Sequence, residues 1–226
     1  MLVFVAAERR ELDGLLRHVD KVHKVDWPID FARRGTLNGR DAALVANGPG
    51  PRLAGAAMDV VKEMQGIEAL ISTGFCGGLA DSLQACDIFV ATEVVGVAPA
   101  MVPASPRSFQ LGKLLSIDRV VSMAAEKSAL RSQADAVEME AAAVAELARE
   151  SNVPFYAVRV VTDTSGESFP LDFNQTRGRD GRFSRSKIVA AALRRPVTTV
   201  PELMKLNQRT KRAAQALGDF LADARF

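Results

Sequence analysis

The residues able to do chemistry fall in four stretches: Glu11, the run Gly74-Phe75-Cys76-Gly77-Gly78, the acidic pair around a methionine in Val137-Glu138-Met139-Glu140, and Thr162-Asp163. Each also has a plain structural explanation. Glu11 falls in the first turns of a helix, where the helix dipole favours a carboxylate whatever its function; alone it reads as structural. The glycine run suits an oxyanion or phosphate cradle built from backbone amides. It lacks the Lys-Ser/Thr ending of a P-loop and the full GxGxxG spacing, so a tight strand-to-helix turn explains it equally well. Glu138 and Glu140 stand where a short strand meets the alanine-rich helix that opens with Ala141. A carboxylate at such a closely packed helix start can accept hydrogen bonds from vicinal hydroxyls, as a sugar offers. Asp163 ends an apolar strand and precedes Thr164-Ser165-Gly166. It opens a turn in one reading and, in the other, is a partly desolvated carboxyl group able to hold a proton.

Composition excludes several other classes. Twenty-nine basic against 27 acidic residues leave a net charge of +2, too balanced for a nucleic-acid surface. Basic residues gather late, in Arg177, Arg179, Arg182, Arg185, Lys187, Arg194 and Arg195. They offer a transient contact for phosphate or an anionic membrane surface, although a solvated helix face is the plainer reading. Cys76 and Cys86 form no CxxC pair and have no Cys/His partners at metal-ligand spacing, so no metal is expected. His18 and His23 have no Ser or Cys partner at a mechanistic position, which argues against triad hydrolysis. No segment approaches the roughly 18 apolar residues of a membrane span, and the opening MLVFVAAERR is no signal peptide; the expected compartment is cytoplasmic.

The elements that must position these residues alternate between strand and helix. Leu2 to Ala7 is a strand running straight into a helix over Glu8 to Leu16. Phe31 to Gly50 is a hairpin turning at Asn38-Gly39, and Leu53 to Met64 is a helix ended near Gly66. Ala69 to Thr73 is a buried strand that empties into the glycine run as a turn. Asp87 to Val97 and Ile117 to Ser122 are further strands. Val137 to Glu150 is mainly helical, and Val153 to Thr162 is the most strand-like segment. Thr164 to Gly181 is a long loop and a candidate lid, and Ser186 to Leu193 and Pro201 to Ala222 close the chain as helices. With 48% hydrophobic residues, the whole chain (residues 1–226) forms one domain. The expected fold is α/β, a three-layer αβα sandwich around a central mixed sheet, with ligands at the C-terminal ends of its strands.

Taken in order, these stretches resemble the purine nucleoside phosphorylase and methylthioadenosine/S-adenosylhomocysteine nucleosidase superfamily. The likeness rests on Ala7-Glu8-Arg9-Arg10-Glu11-Leu12, Gly35-Thr36-Leu37-Asn38-Gly39, Gly48-Pro49-Gly50, Ser72 to Leu79, Val137 to Ala141 and Val158 to Asp163. A looser likeness in the tail, at Gly181-Arg182-Phe183, Ala192 to Pro196 and Pro201-Glu202-Leu203, points to the branch associated with hopanoid lipid biosynthesis. The resemblance implies an enzyme that splits the N-glycosidic bond of a purine, and more narrowly an adenine, nucleoside without metal or organic cofactor. Glu140 with Met139 and Glu138 would hold the ribose, Asp163 with Thr162 would meet the base, and Glu11 would stand on the nucleophile side. Gly74, Phe75, Cys76 and Gly77, with Arg52 as the cation, would bind phosphate or water. It also implies a homo-oligomer, dimer or hexamer.

Two departures from the family pattern shape the expectation. Around the glycine run Ser72 and Phe75 replace the usual Arg and Ser of a phosphate site. The Val94 to Pro106 region lacks the aromatic residue and histidine that grip a thioether 5′ group, and offers Val95, Val97, Met101 and Val102 instead. An apolar 5′ substituent follows. The tail's likeness favours phosphorolysis, with phosphate as co-substrate, over hydrolysis of the methylthioadenosine type; a non-catalytic nucleoside-binding protein on the same fold is the rival from another class.

Overall fold

The computed structural model describes residues 1–193 and 196–226; Arg194 and Arg195 of the basic tail lie outside the described residues. Its centre is β1 (Leu2–Ala6), every residue of which is buried. That explains why an uninterrupted apolar run forms a strand here, since both faces are covered by helices. β1 lies parallel to both β4 (Arg40–Ala46) and β5 (Ala69–Gly78), with Val3 opposite Ala43 and Leu70. β3 (Phe31–Leu37) returns antiparallel to β4 through a two-residue turn in which Asn38 and Gly39 have φ of 50° and 80°. That is the all-positive geometry of the hairpin anticipated from Asn-Gly. β2 (Asp20–Lys24), which the sequence reading omitted, extends the edge beyond β3; all five of its residues are exposed, so no apolar alternation announces it.

β5 is longer than its apolar sequence suggests. It continues through the glycines to Gly78, so the run Gly74 to Gly78 is strand and not the expected turn. Its first half pairs with β1, and its last residues pair antiparallel with β9 (Ala136–Glu138). Along its other edge it carries the parallel β10 (Phe155–Asp163), from Leu70 opposite Phe155 to Gly77 opposite Asp163. β6 (Ile88–Val94), the short β7 (Ala98–Pro99) and β8 (Gln110–Ser116) complete a ten-stranded mixed sheet among the described residues, and β10, β6, β8 and β9 bring it back onto β5. Ile117 to Ser122, expected as a strand, is instead a connection after β8. β8 itself and the helix that follows, α3 (Ala124–Leu130), are further elements the sequence reading lacked.

Alternate residues of β1 feed two separate cores. Val3 and Val5 pack with Ala57, Met58 and Val61 of α2 (Pro51–Val61) and with Val144, Ala145 and Ala148 of α4 (Ala141–Glu150). Leu2, Phe4 and Ala6 pack on the opposite face with Leu12 of α1 (Arg9–Leu12) and with Ala213, Leu217, Phe220 and Leu221 of α6 (Pro196–Asp223). The arrangement is the expected layering of helices on both faces of a mixed sheet. α5 (Arg185–Ala192) and α6 lie close to the anticipated terminal helices, although α6 starts before Pro201 and carries that proline within it. No helix among the described residues is long and apolar enough to cross a membrane.

Candidate active site

Glu11, Met139, Glu140, Thr162 and Asp163 line one cavity of about 170 Å³, bounded further by Phe75, Cys76, Gly77, Glu138, Val120, Val121, Phe169 and Phe183. The sheet accounts for this convergence. β1, β5 and β10 run in parallel and end on the same side, so α1, the end of β5 and Asp163 meet there. β9 delivers Glu138 from the antiparallel direction.

Glu140 is the residue just before α4. Its Oε1 accepts the Gly50 N–H at 2.8 Å, which fixes the side chain from a loop 90 residues away in sequence. Gly50 has φ of 93°, and a Cβ there would sit 2.3 Å from Arg177 Nη2, so both backbone conformation and space require glycine. Burial, together with the neighbouring carboxylates of Glu138 and Glu11, pushes the Glu140 carboxyl well above its ordinary range, against the pull of Arg159 and the Gly50 amide.

Glu138 does different work from the sugar contact expected of it. Its carboxylate accepts the N–H groups of Glu140 at 2.9 Å and of Ala141 at 3.0 Å, capping α4, and it is paired with the Arg159 guanidinium. Its acceptors are thus engaged by the scaffold, and it holds Glu140 in place. Arg159 is fully buried and also donates to Ser72 Oγ at 2.7 Å. Burial alone would weaken its hold on its proton, but the carboxylates of Glu138, Glu140 and Glu11 outweigh that and hold its pKa raised. The sequence reading missed this residue as a site component. The available signal was a lone charge inside Val158-Arg159-Val160-Val161, since a charge in an apolar strand must be paired.

Glu11 accepts the Glu8 N–H at 2.8 Å and the Phe75 N–H at 3.0 Å, one on each oxygen. Burial raises its pKa despite these two bonds. A Cβ at Gly74 would lie 2.9 Å from Glu11 Oε1, and Gly74 has φ of 135°. The glycine therefore admits the carboxylate, which occupies the space where a backbone phosphate cradle was expected. Arg52 is not at this place. It donates to the Asp180 carbonyl and does not line the cavity. Cys76 is buried with its thiol pushed up by desolvation, which leaves it a packing residue.

Asp163 ends β10 opposite Gly77. Its Oδ1 accepts from Thr162 Oγ1 at 2.8 Å and its Oδ2 from Lys127 Nζ at 2.5 Å. Burial raises its pKa and Lys127 opposes the rise. Lys127 belongs to the unanticipated α3, so nothing in the sequence reading pointed to it.

Beyond Phe75 and Thr162 the cavity opens into a second one of about 380 Å³, walled by Phe169, Phe173, Phe183, Ile188, Leu203 and Leu206. Phe173 packs edge-on against Phe169 and Phe183, with ring centroids 5.3 and 6.5 Å apart. The 164–181 loop supplies two of these aromatic rings and so forms part of the cavity wall. Val95, Val97, Met101 and Val102, expected to receive a 5′ group, line neither of these two cavities. Met101 and Val102 are exposed, and Val97 packs on the core.

With this geometry in view, the likenesses to known proteins are informative. The family model of the phosphorylase superfamily matches residues 2–110 and 102–194. A 5′-methylthioadenosine/S-adenosylhomocysteine nucleosidase of Haemophilus ducreyi is 30% identical over 204 residues, covering 76% of this chain and 88% of its own. One of Anoxybacillus flavithermus is 30% identical over 175 residues, covering 62% and 75%. Among solved structures, the corresponding nucleosidase of Neisseria meningitidis in complex with methylthio-immucillin-A superposes with a TM-score of 0.71 at 21% identity, over 98% of this chain and 96% of that one. A futalosine hydrolase mutant of Helicobacter pylori gives 0.71 at 17%, over 97% and 96%. At such identities the structural likeness speaks for the fold, while the family model and the Haemophilus relative speak for descent. The chain therefore belongs to the phosphorylase superfamily of purine nucleoside phosphorylases and methylthioadenosine/S-adenosylhomocysteine nucleosidases, and it is an enzyme that cleaves N-glycosidic bonds.

Proposed function

We propose that the enzyme hydrolyses the N-glycosidic bond of an adenine nucleoside that carries a bulky apolar group at its 5′ position. The observation that carries this reading is the convergence of Glu11, Glu140 and Asp163 on one cavity, with the Glu11 carboxylate filling the space above Gly74. Breaking the bond leaves positive charge on the sugar and negative charge on the base. Asp163 stands at the base and passes it a proton as the bond lengthens. Glu140 accepts hydrogen bonds from the ribose hydroxyls, and Met139 packs beside them. The carboxylates around Arg159 favour the sugar cation electrostatically. Glu11, made more basic by burial, takes a proton from the attacking water.

Hydrolysis replaces the phosphorolysis expected from the tail. A phosphate dianion at Gly74 would face the Glu11 carboxylate with no help from Arg52, which is engaged at Asp180. The nucleosidase relatives of Haemophilus ducreyi and Anoxybacillus flavithermus support the same choice. The aromatic second cavity supports the apolar 5′ group, and the tail's likeness to the hopanoid-associated branch points the same way.

The test is adenine release from a series of 5′-substituted adenosines, followed with and without phosphate. The free 5-substituted ribose, released at a rate indifferent to phosphate, and a preference that grows with the apolar size of the 5′ group, are the expected results. The 5-substituted ribose 1-phosphate as product would overturn hydrolysis, and a preference for unsubstituted adenosine would overturn the 5′ assignment.

A further inference from the structure

Lys127 is a second buried cation beside a carboxylate of the site, and nothing so far explains its presence. A lysine side chain that is 1% exposed is rare unless its ammonium is fully bonded. Here all three donors are used: Nζ reaches Asp163 Oδ2 at 2.5 Å, the Thr164 carbonyl at 2.7 Å and the Glu167 carbonyl at 2.9 Å. The last two belong to the segment that leads away from Asp163 and becomes the cavity wall. The same segment is joined to the start of α3 twice more, by Ala124 N–H to Ser168 Oγ at 3.0 Å and by Phe169 N–H to the Ser122 carbonyl at 2.8 Å. The Phe169 ring, which lines both cavities, lies 5.6 Å from Nζ. One ammonium thus ties together Asp163, the backbone after it and a ring of the wall.

We propose that Lys127 is a positioning residue for the reaction: it holds the Asp163 carboxyl group toward the cavity and fixes segment 164–169 to it, so that acid and wall are set as one unit. This rests on the reading of Asp163 as the group that meets the base. Hydrogen-bond count supports it. With Oδ2 held by Lys127 and Oδ1 beside the Thr162 hydroxyl, the carboxyl group has little freedom to turn. Without Lys127, a carboxylate on a strand end could rotate or take the Thr164 and Glu167 region with it.

The charged and titratable groups around Asp163 are few: Lys127 from α3, Glu167 from the loop with its partner Arg209 from α6, and the Cys76 thiol from β5. Among the described residues only Lys127 offers a cation directly to Asp163. Its removal should therefore make Asp163 hold its proton to higher pH, and the alkaline fall of kcat/KM should move upward.

The experiment compares Lys127→Met, Lys127→Ala and Asp163→Asn with the parent, measuring kcat, KM, the pH profile and thermal stability for adenine release. Lys127→Met is expected to lose kcat by about tenfold or more, within the range of a misplaced acid, with KM changing far less and the alkaline limb displaced upward. Propylammonium should restore part of the kcat of Lys127→Ala. An unchanged kcat and an unmoved limb would overturn the proposal. So would a lower kcat that tracks lost stability and is not restored by the amine. Should Lys127→Met fail to fold, Lys127→Ala assayed in propylammonium decides alone. Asp163→Asn separates the two claims: parent-like activity there would sink the reading of Asp163 itself, whereas a slow Asp163→Asn beside an unaffected Lys127→Met would sink only the role of Lys127.

Discussion

On the sugar side of the cavity three buried carboxylates, Glu11, Glu138 and Glu140, share one guanidinium, Arg159; on the base side one carboxylate, Asp163, has an ammonium to itself. The first set has more potential negative charge than positive, so burial and the neighbouring carboxylates of Glu138 and Glu11 push the Glu140 carboxyl well above its ordinary range. The second set is balanced and rigid. The difference matches the two charges that bond cleavage produces. An excess of carboxylate suits a sugar that becomes cationic, and a single well-placed acid suits a base that becomes anionic.

The comparison breaks most severely if Arg159 is removed. Arg159→Met leaves Glu138 buried without its partner, and losing one member of a buried pair costs about 3–5 kcal/mol. A large drop in the denaturant midpoint, with loss of activity, is expected. A variant as stable as the parent would show that the three carboxylates do not depend on Arg159.

Asp163→Asn attacks the other side. It keeps the side chain's shape and an oxygen for Lys127 but takes the carboxylate from that buried ammonium, so stability should fall, by up to about 3–5 kcal/mol, while kcat falls by about 10²–10⁴, the range of general acid catalysis. A destabilised variant that keeps the parent's kcat would mean that the base side is a scaffold and not an acid.

Glu140→Gln sharpens the contrast through pH. The Glu140 pKa is raised in the folded chain, so its contribution to stability is full below the ordinary carboxylate pKa and is lost as pH rises through the raised value. The glutamine variant escapes that loss. It should melt at about the parent's temperature near pH 4 and above it near pH 8, while its sugar binding weakens. A melting difference independent of pH would show that Glu140 does not titrate in this range.

The smallest expected effect lies in the aromatic cavity. Phe183→Ala should weaken kcat/KM for an apolar 5′-substituted substrate by about 10-fold, consistent with roughly 1–3 kcal/mol of lost contact, and leave unsubstituted adenosine nearly unchanged. Equal losses on both substrates would move Phe183 from the 5′ site to the general wall.

Much of the fold was legible because burial writes itself into local composition. The apolar runs of β1, β5 and β10 and the Asn38-Gly39 hairpin are readable from neighbours alone. β2 escaped because a fully exposed edge strand has no apolar pattern. The extension of β5 through its glycines escaped because strand pairing with β9 and β10, not propensity, keeps that stretch extended. For the site, the acidic residues and their order were visible, as was the resemblance they carry.

What the sequence by itself determined was therefore which carboxylates are present and that three of them, Glu11, Glu140 and Asp163, belong near strand or helix ends at one edge of the sheet. Only the tertiary structure decided how each is used. Glu138 is consumed by Arg159, 21 residues on; Glu11 is held by the Phe75 amide, 64 residues on; and Asp163 is held by Lys127, 36 residues back. The physical reason is that a buried charge takes its character from the partner that satisfies it, and that partner is a neighbour in space whose distance along the chain carries no signal.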